Sequence, residues 1–144
     1  MYIMYIVYMT ATHFPTVNAA RANFKALIDA AEDGRPALVS RDATTTALVD
    51  SDRFRTFLAG TATSNAQVVA EDGGWSILFP GLPIAADGST LEAALENSID
   101  ALREYADDWC ERLRTAPNHA QNWALVQLIQ LSTDDQLKAW LTAA

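Results

Sequence analysis

VNAARANFKALIDAAEDGRPALVSRDATTTALVDSDRF, residues 17–54, carries the signals that decide the fold of the first half of this 144-residue chain. Its opening part predicts a helix from Asn18. Ala20, Phe24, Leu27, Ile28 and Ala31 recur at the spacing that lines one helical face. Asn18 suits the N-cap, because its side-chain oxygen can accept from a backbone N–H that the first turn leaves unpaired. Asp33-Gly34 suits the C-terminal stop, and Pro36 prevents continuation. Ala37-Leu38-Val39 and Ala47-Leu48-Val49 then flank a threonine-rich polar stretch, residues 40–46, and predict a β-hairpin. Ser51 or Asp52 is expected to cap a short helix carrying Phe54, Phe57 and Leu58.

Outward from this stretch the chain changes character on both sides. Upstream, residues 1–9 read MYIMYIVYM, which is apolar but about half as long as a membrane-spanning helix. The segment has no basic n-region and no small-residue cleavage site, so it is not read as a signal peptide. Its Tyr, Ile and Val content suits a strand. Met4 or Met9 is an alternative start residue. Downstream, residues 59–66, AGTATSNA, are small and polar and read as a linker. The organisation expected is therefore a domain over residues 10–58, a linker over 59–66, and a second domain over 67–144.

The second half opens with a hairpin, in which residues 67–70 and 75–79 flank the turn Glu71-Asp72-Gly73-Gly74. Ile84 to Ala86 is expected as a third strand before a turn at Asp87-Gly88. Ser89-Thr90-Leu91-Glu92 reads as a capping box opening a long helix over residues 90–114. Leu91, Leu95, Ile99, Leu102, Tyr105, Ala106, Trp109 and Leu113 line one face of it. Residues 123–131, WALVQLIQL, fit a buried strand or a helix. A last helix begins at Thr133, with Gln136 completing a second capping box and Leu137, Trp140 and Leu141 turned inward.

Charge divides the chain as clearly as pattern does. Residues 1–60 hold six basic and six acidic side chains, whereas residues 61–144 hold four basic and twelve acidic, giving the net charge of −8. A neutral half joined to an acidic half suggests two different partners. Glu104, Asp107, Asp108 and Glu111 fall on one face of the long helix. The ordinary reading is a solvated face, and the functional one is electrostatic steering of a basic partner. Catalytic signals are thin. His13 and His119 lack spaced metal partners, and Cys110 sits in a helix where packing explains it. Neither a phosphate loop nor a nucleophile elbow is visible, so no metal, cofactor or enzymatic activity is expected.

Residues 17–58 resemble the N-terminal domain of the Phd/YefM antitoxins. The order is shared: Ala-Arg, helix, Gly, strand ending in Arg, second strand, acidic cap and aromatic. The hairpin loop departs from that family, with Asp42-Ala43-Thr44 where Gly and Lys are usual. Residues 67–109 are similar to HicB-type antitoxin domains through GGWSILFPGLP, the DGSTLEAALENSIDAL helix start, and Tyr105 and Trp109. The fold implied is α+β: a helix–hairpin–helix unit for dimerisation and DNA binding, then a reduced ribonuclease-H-like domain. The second resemblance also implies a strand after the long helix, favouring a strand over 123–131.

Together the two resemblances imply a cytoplasmic type II antitoxin. It would neutralise a small basic toxin and repress its own operon as a homodimer or higher homo-oligomer on operator DNA. They carry DNA contacts onto Arg21 and Arg41; Lys25 joins that patch at i+4 from Arg21, and Asn18 organises the helix end. The acidic face of Glu104, Asp107, Asp108 and Glu111 is the candidate toxin surface. Rival expectations are a protein-binding module, a stand-alone regulator without a toxin, and a small hydrolase on the ribonuclease-H-like half.

Overall fold

The computed structural model describes residues 11–143, so the expected strand over residues 1–9 lies outside the described residues. Among the described residues, six α-helices and two three-stranded sheets fall into two compact units that divide between Phe54 and Arg55.

In the first unit, β1 (Thr12–Phe14) lies parallel to β2 (Ala37–Arg41), which pairs antiparallel with β3 (Thr44–Ala47). α1 (Val17–Ala22) and α2 (Phe24–Glu32) cross between β1 and β2. Side chains alternate across a strand, so Phe14, Ala37 and Val39 face the helices. They pack on a core of Ala20, Leu27, Ala30 and Ala31. Gly34 ends α2 with φ +75°, as the stop signal predicted.

The structure corrects the expected single helix. Asn23 breaks it, with φ −127° and ψ 30°. Its side-chain amide donates to Ala19 O at 2.9 Å, and its own N–H bonds to Ala20 O. This is the local competition for backbone groups that makes Asn a poor helix-interior residue. The break shifts the apolar phase, leaving Phe24 55% exposed at the start of α2. Asn18 is not the N-cap. Thr16 accepts from Ala19 N at 3.1 Å, and Asn18 lies exposed within the first turn. The cap of α3 (Ser51–Thr61) is likewise Asp50, whose Oδ1 accepts from Arg53 N, and not Ser51 or Asp52.

Within α3, Gly60 has open space where a Cβ would stand and no positive φ. Gly60→Ala therefore removes unfolded-state entropy without strain. The expected gain is about 0.5–1 kcal/mol, seen as a Tm higher by a few degrees in a thermal melt.

In the second unit, β4 (Gln67–Glu71), β5 (Gly74–Leu78) and β6 (Ala85–Gly88) form an antiparallel sheet in that order. α4 (Leu91–Glu111) packs across it through Ala94, Leu95, Ile99, Leu102 and Ala106, against Ile77 and Ala86. Thr90 alone caps α4, accepting from Ala93 N, and the helix stops at Glu111, three residues short of the expected end. Asp87-Gly88 belongs to β6 and is not a turn.

Residues 123–131 form a helix, α5 (Trp123–Leu131), which overturns the strand expected there. Only Val126 and Ile129 in this run are β-branched, and Trp, Ala, Leu and Gln tolerate a helix well. Val126, Leu128 and Ile129 are buried, while Trp123 and Leu131 stay in water at the ends. α6 (Asp134–Thr142) opens with the predicted Thr133–Gln136 capping box.

Candidate functional site

The cations of the first unit are sorted by their partners. Arg53 donates from Nη1 to Ala31 O at 3.2 Å and Glu32 O at 2.8 Å, a charged cap on the C-terminal carbonyls of α2. Arg35 pairs with Asp33, and Lys25 with Asp29 at 2.7 Å across one helical turn. The hydrogen bond to Asp29 and that carboxylate's charge raise the Lys25 pKa, so Lys25 stays charged but its charge is locally offset. Arg21, in the last turn of α1, and Arg41, at the end of β2, are exposed and make no ion pair among the described residues. α1 and β2 pack together, which puts the two arginines on adjoining elements of one unit. Of the four DNA-contact candidates, Arg21 and Arg41 are exposed and make no ion pair among the described residues, Lys25 is paired with Asp29, and Asn18 lacks its capping role.

The structure divides the acidic face of α4. Glu104 and Asp108 line a cavity of about 460 Å³ together with Tyr105, Arg112 and His119, whereas Asp107 and Glu111, exposed as Glu104 is, do not line it. Beneath the cavity lies a network that the spacing of the sequence did not signal. Asn122 Nδ2 donates to Tyr105 Oη at 2.7 Å, and the same hydroxyl shares a hydrogen bond of 2.9 Å with His119 Nδ1. Trp109 Nε1 donates to His119 O at 2.8 Å. The network pins the segment after α4 back onto the helix. It joins residues up to 17 positions apart, beyond any local pattern.

Among the described residues, no group of three or more His, Cys, Asp and Glu side chains is placed to hold a metal ion. No helix among them is long and apolar enough to cross a membrane. Cys110 is a free thiol, half-buried, with Gln130 Nε2 3.4 Å from its sulfur.

No curated protein matches the chain. Its fold is similar to a solved structure from Syntrophomonas wolfei subsp. wolfei, described as the antitoxin part of a proposed toxin/antitoxin system. The TM-score is 0.76 at 21% identity, over 88% of this chain and 94% of that one. At this identity the likeness concerns the fold. Residues 12–142 match the PHD-like family, described as "Antitoxin of toxin-antitoxin, RelE / RelB, TA system". With nearly its whole length matched, the chain belongs to this family of antitoxins of toxin–antitoxin systems.

Proposed function

We propose that this antitoxin acts without catalysis in the cytoplasm, neutralising a small basic toxin through its second unit and repressing its own operon through its first. The observation that carries this reading is the division of charge. Two arginines that make no ion pair among the described residues sit on adjoining elements of the first unit, and most of the acidic excess falls in the second. The helical segment followed by the β2–β3 hairpin supports a Phd/YefM-like relationship for the first unit. The hairpin, third strand and long helix of the second support a HicB-like relationship, from which α5 departs.

The first unit acts as a homodimer or higher homo-oligomer. Among the described residues its buried core is four alanines and one leucine, a modest apolar volume for an independent fold. Val17, Phe24 and Val49 meanwhile stand 42%, 55% and 56% exposed. A second copy covering them removes this cost and doubles the arginine patch, as phosphate binding requires.

A gel shift on the upstream promoter fragment, run over a salt series, tests the DNA-binding part. The wild-type chain should bind with affinity that falls steeply with salt. The Arg21→Ala/Arg41→Ala variant should lose about tenfold or more at equal salt. Retained binding in that variant overturns the residue assignment. Absence of binding by the wild type at low salt leaves a pure protein-binding module.

A further inference from the structure

The reading above gives the cavity at the C-terminal half of α4 no defined occupant, and its lining favours one class of ligand. Its apolar lining includes Pro83 and Ile84 of the β5–β6 connection and Ala85 at the start of β6. The charged lining is Glu104 and Asp108 of α4, one turn apart, with Arg112 one turn further. Arg112 reaches Asp108 through a single contact, Nη2 to Oδ2 at 3.1 Å, and its side chain is 70% exposed. Glu104 makes no ion pair among the described residues. The charged lining therefore sets two carboxylates against one loosely held guanidinium. The half-buried His119 ring, 5.8 Å between centroids from the buried Tyr105 ring that backs it, provides an aromatic surface held in place by Asn122 and Trp109.

We propose that this cavity receives a guanidinium group, presented by an arginine of the basic partner, with Glu104 and Asp108 as its acceptors and the Tyr105–His119 pair as the surface it lies against. The inference rests on the second unit being the toxin-binding part. A guanidinium suits the site on three counts. Its planar fork of donors matches carboxylate oxygens. Being weakly hydrated, it enters an apolar-walled recess at less cost than an ammonium does. Its face stacks favourably on aromatic rings. The contact between Arg112 and Asp108 displays this pairing within the chain itself. An anionic ligand would instead meet the like charge of Glu104 and Asp108, and a wholly apolar one would leave both carboxylates unused. The volume of about 460 Å³ also leaves room for the atoms flanking an inserted side chain.

Arginine amide is the probe for the cavity itself. Titrated into the full chain, it should perturb the His119 ring resonances and Trp109 fluorescence saturably, and more tightly than lysine amide. Glu104→Gln/Asp108→Asn should weaken this binding by about tenfold or more. Asp107→Asn/Glu111→Gln, an equal change of charge outside the cavity, should leave it unchanged within error. A response that never saturates, or equal loss in both variants, overturns the proposal.

The same two variants are then compared in the complex with the co-expressed toxin. Weakening by the cavity variant alone supports the proposal. A wild-type complex that both variants retain equally refutes the cavity while the toxin reading stands. If arginine amide saturates but no toxin binds, the toxin reading has failed, and the occupant proposed here fails with it.

Discussion

Gly88→Ala should unfold the second unit at a far lower temperature than the native chain. A Cβ at Gly88 would stand 2.3 Å from Ala94 N and 2.7 Å from Ala93 C, both backbone atoms of the first turn of α4. Ala94 N already bonds to Thr90 O and begins the helix, so it cannot retreat without undoing the helix start. Gly74 closes the other side of the same junction, with its own Cβ position 2.5 Å from Gly88 O. The glycine at 88 is needed for space and not for a left-handed backbone, since its φ is not positive. Overpacking against backbone of this kind costs about 3 kcal/mol or more. For a unit of this size the Tm should fall by roughly 10 °C or more. Trp75, Trp109, Trp123 and Trp140 are the chain's four tryptophans and all lie in the second unit, so their fluorescence reports its melting directly. An unchanged fluorescence melt would show that β6 and α4 do not meet as closely as described.

Arg103→Ala should be the second large loss. The guanidinium donates to Ile129 O at 2.6 Å, Ser132 O at 2.9 Å and Asp134 Oδ1 at 2.7 Å. It thereby caps the C-terminus of α5 and ties the α5–α6 junction to α4. Asp134 is 72% exposed, so that ion pair contributes little by itself. The weight falls on the two part-buried carbonyls, which lose a charged donor and gain none. The expected cost is on the order of 3 kcal/mol in chemical denaturation followed by tryptophan fluorescence. Arg103→Lys should recover only a fraction, because one ammonium cannot serve three acceptors in the fork geometry. Full recovery by Lys would reduce the role of Arg103 to its charge.

The parts of this fold that were legible in sequence are those written in neighbouring residues. Gly34 ends α2, the Asp72-Gly73 turn joins β4 to β5, and Thr133 with Gln136 starts α6, each within one turn of chain. What was missed depends on distance or on competition. The break at Asn23 arises because its side chain competes for a carbonyl four residues back, inside a pattern that scans as one helix. The helix over residues 123–131 reads equally as a strand until Arg103, 26 positions from Ile129, is seen to cap it. The acidic face of α4 was visible as four residues, but its division into a cavity pair and an outer pair depends on the β5–β6 connection packed beside it. Arg21 and Arg41 were named from resemblance. That Lys25 is held by Asp29 follows the ordinary i, i+4 rule and was available from spacing alone.

The central claim is that this chain holds a toxin inactive. The most direct measurement is co-expression with each neighbouring reading frame, read both by growth and by affinity purification of this chain. The account predicts that one neighbour encodes a small basic protein that arrests growth alone. That protein should be harmless beside this chain and should co-purify with it in a fixed ratio. Growth arrest that persists in the presence of this chain, or a toxic neighbour that never co-purifies with it, would contradict the account.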